Sequence, residues 1–296
     1  MFETGSGNEG GKQCKRHAGS RWMVSGLLAL RRTGLADSLR IDHSSDMAHR
    51  LPPAAAPLMV LAFSAALSLG LAAQRFGQRG MRFEPNVPYD GRFTFARIRY
   101  TVYRRSGWEY DYPTMERNLM TMLAEITSLQ PHISGSNIHT LDDPELLKYP
   151  IAYLSEPGYW IPSESEVEGL RTYLAKGGFL IVDDFMRGEW YNFEEQIRRV
   201  LPEGRIDRLD ASHPVFDSFF RVASLDMSYP HDPGLKAGFL GIHQDNDPRQ
   251  RLVVMINYNN DIGDYMEHSD QGWWPVNISN DAYKLATNYI IYGLTH

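Results

Sequence analysis

Two periods of apolar residues run through the chain, and both begin near residue 93. Residues 93–100, Phe-Thr-Phe-Ala-Arg-Ile-Arg-Tyr, nearly alternate apolar with polar, which predicts a strand. Behind Pro113, the residues Met115, Leu119, Met122, Ile126 and Leu129 recur at three- and four-residue spacing, the mark of an amphipathic helix. Residues 151–155 are a short apolar run that reads as a buried strand. Ser163 and Glu166 have the spacing of a capping box, Val167, Leu170 and Leu174 mark a buried helical face, and Gly177 supplies the stop. Residues 178–182 are the next strand, closing on Asp183-Asp184, and Asn192 with Glu195 predicts the start of a helix that runs to about Leu201. Residues 235–243 and 251–257 are strand-like, and the polar segment 245–250 between them predicts a hairpin appended to the sheet. A last helix is expected over about 281–292, burying Leu285, Tyr289 and Ile290. Strands alternating with helices imply an α/β fold: a mostly parallel sheet covered on both faces, with an added C-terminal hairpin.

Upstream of residue 93 the pattern changes. Residues 58–73 carry no charge and end in small residues before Gln74, as a signal-peptide cleavage site requires. The run is shorter than the roughly 20 apolar residues of a spanning helix. Met47-Ala48-His49-Arg50 gives it a brief basic start. Residues 47–73 therefore read as a signal peptide cleaved near Ala73, and 1–46 as a mis-assigned or disordered leader. The alternative is an N-terminal membrane anchor behind a cytoplasmic tail. Residues 74–92 read as a linker and 93–296 as the α/β domain. The expected location is outside the cytoplasm, periplasmic or secreted.

Composition sharpens this reading. The chain has 30 Lys+Arg against 36 Asp+Glu and one cysteine. Residues 74–296 alone hold 22 Lys+Arg and 31 Asp+Glu, a net charge of -9, and no cysteine. An acidic domain of this kind is not a general nucleic-acid binder. Without cysteine it has no disulfide framework, no thiolate zinc or iron–sulfur site and no thiol catalysis. Phosphate-binding, dinucleotide-binding, His-Glu-x-x-His and Gly-x-Ser-x-Gly motifs are absent from the sequence.

Ligands of open parallel sheets bind beyond the carboxyl ends of the strands. The segments expected there are residues 104–112 with Trp108 and Asp111, then Glu156 with Tyr159 and Trp160, then Asp183-Asp184, then Asp261 and Asp264. The cleft should be acidic and aromatic. Glu156, Asp183, Asp184 and His213 are the candidate catalytic residues. Trp108, Asp111, Tyr159, Trp160, Asp261 and Asp264 are the candidate ligand contacts. Each has a plainer reading, as a cap, a turn residue or a core side chain. Adjacent carboxylates such as Asp183 and Asp184 usually point apart. Asp261-Ile262-Gly263-Asp264 resembles a calcium loop but lacks its 12-residue ligand pattern, so no metal-ligand set is assigned and the cofactor is left open. His243 and His268 are expected on the surface or in loops.

The run Ser155 to Phe185 joins a strand, a glycine turn, the Ser-x-x-Glu helix, Tyr-Leu-Ala-Lys-Gly-Gly-Phe-Leu and Asp-Asp. Trp108, Pro113 and Asn118-Leu119 precede it and His213-Pro214-Val215-Phe216 follows. Together these resemble the domain-of-unknown-function family 4159 over about residues 93–295. The resemblance implies a flavodoxin-like three-layer sandwich, similar in fold to class I glutamine amidotransferases. Those enzymes carry a nucleophilic cysteine in the turn after the strand matching residues 151–155. Here the turn is Ser155-Glu156-Pro157-Gly158, so the resemblance implies a fold without the amidotransferase nucleophile. The expected function is a non-catalytic exported domain that binds a glycan, peptide or protein partner of the cell envelope. The alternative is a hydrolase-like enzyme using carboxylates directly or through a metal. Membrane contact is expected only through the N-terminal segment.

Overall fold

The short strand Ala96–Ile98 (β1) is the hinge of the architecture. It pairs in parallel with Asn137–His139 (β2) on one side and with Ile151–Ser155 (β3) on the other. Phe179–Phe185 (β4) follows β3, and Leu252–Tyr258 (β9) follows β4, both in parallel. Among the parallel strands the order is thus second, first, third, fourth, fifth, the flavodoxin-like winding, whose direction reverses between β1 and β3. Gly238–His243 (β8) and Ile206–Arg208 (β5) continue the sheet antiparallel beyond β9. Ser228–Tyr229 (β6) and Asp232–Lys236 (β7) form a separate two-stranded ribbon. In this computed structural model the described residues are 83–101 and 107–296. They fall in the unit Arg79–His296. The leader 1–46, the signal segment 47–73, the first part of the linker and residues 104–106 of the expected loop lie outside them.

Alternation along the strands sorts the two faces. Ile151, Tyr153, Phe179 and Ile181 pack with Thr114–Ile126 (α1), Ile262–Glu267 (α4) and Val276–Thr295 (α5). Ala152, Leu154, Leu180 and Val182 pack with Glu164–Ala175 (α2) and Glu189–Val200 (α3). The result is a three-layer α/β sandwich, as the periodicity predicts.

Local chemistry explains the boundaries. Ser163 and Glu166 make the full capping box that opens α2. Gly177 takes φ 100°, a conformation that favours glycine, and ends it. The 235–243 and 251–257 runs pair as β8 and β9, and the hairpin is continuous with the sheet because β9 also lies along β4. Two boundaries differ from expectation. The helix assigned to Asn192 begins at Glu189, because the Glu189 carboxylate accepts the Met186 N–H at 2.7 Å. Asn192 lies inside α3, where its amide donates to the Pro157 and Trp160 carbonyls. The last helix starts five residues earlier than expected, behind Pro275. No helix among the described residues is long and apolar enough to cross a membrane.

Candidate functional site

The carboxyl ends of β3, β4 and β9 carry an unusual backbone. Asp111, Glu156, Asp184, Arg187 and Asn259 all have φ between 50° and 63° without being glycine. Such conformations cost energy and collect at functional sites. The β4–β9 ladder shifts register between Val182 and Phe185, which separates the two adjacent carboxylates.

Asp183 points into the core. It is fully buried and accepts hydrogen bonds from Tyr153 Oη at 2.7 Å, Asn257 Nδ2 at 2.9 Å and the Gly263 N–H at 3.1 Å. Tyr289 holds Asn257 in turn. Burial pushes its pKa up against those hydrogen bonds, and the Asp184 charge adds to the rise. Asp183 is a satisfied structural carboxylate that ties β3, β4, β9 and the start of α4 together.

Asp184 turns to the strand ends. Its oxygens accept from Ser155 Oγ at 3.3 Å and Tyr229 Oη at 3.2 Å. Carboxylate oxygens of Asp111, Asp184 and Asp261 all lie within 4.8 Å of one another. Asp261 caps α4 through the Asp264 N–H, which uses one oxygen. Asp111 Oδ2 is buried and has no protein hydrogen-bond partner. The ideal position of a Cβ on Gly263 would lie 2.8 Å from that oxygen, so glycine is what lets α4 approach the cluster. Burial raises the pKa of Asp111 and Asp261, and the charge of Asp184 is the next contribution to each. Burial also raises Asp184, opposed by hydrogen bonds from Asp261 and Tyr229. Three acids that raise one another's pKa in a low-dielectric site require protons or a cation between them.

The loop that presents Asp111 is held from below. Arg97 is fully buried, donates from Nε to Glu116 at 2.5 Å, and from Nη1 to the Trp108 and Tyr110 carbonyls at 2.7 and 2.8 Å. Trp108 itself is buried against Phe83 and lines a cleft of about 510 Å³ with Tyr100, Glu109 and Glu166 beside β1. Glu156 is the left-handed residue at the exit of β3. Its N–H donates to the Asp183 carbonyl and its carbonyl accepts from Tyr100. Burial, then the charges of Glu156 and Asp184, push the Tyr100 hydroxyl pKa up.

The sequence-predicted residues therefore divide. Asp111, Asp184 and Asp261 come together, with Asp183 beneath them and Glu156 one strand away. Tyr159 is 42% exposed on the turn after β3. Trp160 offers no face to a ligand, since it is fully buried between β3, α2 and α3. His213 lies elsewhere. It packs against Tyr292, whose hydroxyl accepts from the Leu252 N–H at the start of β9, the opposite end of the parallel strands. His243 departs from the surface-or-loop assignment, being 3% exposed on β8, whereas His268 lies in the turn after α4 with its side chain largely covered. Tyr229, Glu267 and His231 were not signalled by any motif; β6, β7 and α4 are too short for a period to show.

Ser155 Oγ contacts Asp184 and no histidine, so the site holds no serine–histidine pair. Residues 94–294 match the family described as "Domain of unknown function (DUF4159)". The chain belongs to that family. No curated protein matches the chain. In this DUF4159 domain the functional argument accordingly rests on the carboxylate centre itself.

Proposed function

We infer that this DUF4159 domain is an exported, hydrolase-like protein whose strand-end carboxylates hold a hard divalent cation. The observation that carries the reading is the convergence of Asp111, Asp184 and Asp261 with one Asp111 oxygen unused by the protein. Carboxylate oxygens at this spacing suit Mg²⁺ or Ca²⁺, which take oxygen ligands at about 2.0–2.6 Å. A bound cation lowers the pKa of a coordinated water and neutralises charge developing on a substrate oxygen. Glu156, on the left-handed turn after β3, would serve as the base that takes a proton from the water and returns it to the leaving group. Export is supported by the uncharged run at residues 58–73.

Incubating the full chain with cell-wall glycans, peptides and phosphoesters tests this. Product formation should need Mg²⁺, Mn²⁺ or Ca²⁺, stop with a chelator, and fall at least 100-fold in Glu156→Gln. Cation binding without turnover on any substrate returns the domain to the non-catalytic, ligand-binding reading. Absence of cation binding contradicts the cation-dependent hydrolase reading.

A further inference from the structure

Asp264 takes part in a second constellation, of different chemistry. Asp264 and Glu267 on α4 and His268 at its C-cap follow one another at helical spacing, which places them on one face. Donor atoms of all three lie within 4.8 Å of one another. Asp264 Oδ1 is 3.4 Å from His268 Nε2, and Glu267 Oε2 is 3.3 Å from that same nitrogen. Asp264 Oδ2 is 3.5 Å from Nε2 of His231, which the β6–β7 ribbon carries over from another part of the chain.

These distances are informative because the chain contains internal controls. The hydrogen-bonded histidine–carboxylate pairs are shorter: His139 with Asp143 at 2.7 Å and His132 with Asp90 at 3.0 Å. The contacts around Asp264 are too long for good hydrogen bonds. The two contacts of His268 Nε2, to Asp264 Oδ1 and Glu267 Oε2, match the edges of a tetrahedron of donors around a metal, about 3.3–3.5 Å for bonds of about 2.0–2.1 Å, and His231 approaches the other Asp264 oxygen. The other long pair among the described residues, His243 with Asp207 at 3.7 Å, has a single carboxylate and no convergence.

A second observation points to a ligand. Asp264 is 6% exposed, and its Oδ2, directed at His231, has no hydrogen-bond partner. Its buried carboxylate is therefore aimed at an imidazole it does not bond. The aromatic surroundings fix the rings. His268 stacks on Trp273 at 3.9 Å between ring centres, and His231 meets Trp274 edge-on at 5.3 Å. Stacking, rather than a carbonyl partner, orients His268, whose Nδ1 is unbonded.

We propose that Asp264, Glu267 and His268, with the exposed His231 beside Asp264 Oδ2 as the fourth donor, bind a borderline transition-metal cation of the Zn²⁺ class. Two imidazole nitrogens select such metals over Mg²⁺ or Ca²⁺, whereas the all-oxygen set of Asp111, Asp184 and Asp261 does the reverse. The proposal stands independently of the first centre.

The test is a titration of the full chain with Zn²⁺ by equilibrium dialysis, and with Co²⁺ as a visible-absorbing stand-in. The expected result is a Zn²⁺ affinity that falls at least tenfold in His268→Gln and in His231→Gln and does not change in Asp184→Asn. His231 is exposed, so its replacement leaves the fold intact, which circular dichroism verifies. Zn²⁺ affinity unchanged in both histidine variants overturns the proposal, as does a wild-type chain that takes up neither metal. Mg²⁺ binding lost in Asp184→Asn but kept in the histidine variants reports on the first centre alone.

Discussion

The two ends of the parallel sheet are built on opposite terms. At the amino ends of the strands most of the strong polar groups have found partners, though Arg251 Nε and His243 Nδ1 are buried without one. Arg251 donates to the Gly177 and Gly178 carbonyls, Tyr292 accepts from Leu252, and Tyr173 reaches the Tyr149 carbonyl. The turn before β4 uses Gly177 for its positive φ, whereas the β8–β9 turn holds Asp245 and Asn246 in left-handed backbone. At the carboxyl ends aspartate, glutamate and asparagine hold left-handed backbone, carboxylates crowd together and buried oxygens go unbonded. Left-handed backbone occurs at both ends, but among the described residues it coincides with converging carboxylates at the carboxyl end. That coincidence locates function more firmly than strain or any single residue does, because like charges crowd together only where the surroundings enforce it.

Four experiments can break or sharpen the contrast. The largest effect belongs to Arg97→Met, which leaves Glu116 charged in the core and frees the Trp108–Tyr110 carbonyls. Loss of one partner of a buried ion pair should cost about 3–5 kcal/mol, read from urea denaturation, and cation affinity should drop with it as the Asp111 loop loosens. Next is Tyr292→Phe at the opposite end. It strands the Leu252 N–H and should cost about 1–3 kcal/mol with no change in cation affinity. Asp184→Asn should do the reverse in a chelator, raising stability by about 0.5–2 kcal/mol because repulsion is relieved. A loss of stability in that variant would mean that Asp184, like Asp183, is structural.

The smallest effect is a pH response of the amino end. Val215 N–H donates to His213 Nδ1, so His213 Nε2 carries the proton and faces His243 Nε2 at 3.1 Å. Burial, then the neighbouring His243, pushes the His213 pKa down to about 4, opposed by Asp210. A histidine held neutral in the fold gives stability that is complete above its unfolded pKa of about 6.5 and is lost as pH falls towards 4. Urea midpoints at pH 7 and pH 5 should differ less for His213→Gln than for the wild type. An equal difference would remove His213 from the account.

How much of this was legible in the sequence follows from element length. β3, β4, α1 and α2 announce themselves through long apolar periods, a capping box and a glycine stop. β2, β5 and β6 have three, three and two residues, too few to show a period. The topological rule for parallel sheets brought Asp111, Asp184 and Asp261 to one end before any coordinates. Adjacent carboxylates were expected to point apart, and Asp183 and Asp184 do, but which of them turns to the strand ends was not legible, because it depends on the register shift in the β4–β9 pairing. Trp160 and His213 fit the cleft by residue type and by position near a turn, yet burial placed the first in the core and the second at the far end of the sheet. His231 was invisible, since its partners lie more than 30 residues away on α4.

Calorimetric titration of Mg²⁺ and Ca²⁺ into the chelator-treated full chain tests the central claim most directly. The account predicts a saturable site at the carboxyl end whose affinity falls at least tenfold in Asp184→Asn and in Asp111→Asn. Neither ion binding to the wild type, or binding that both variants retain in full, would contradict it.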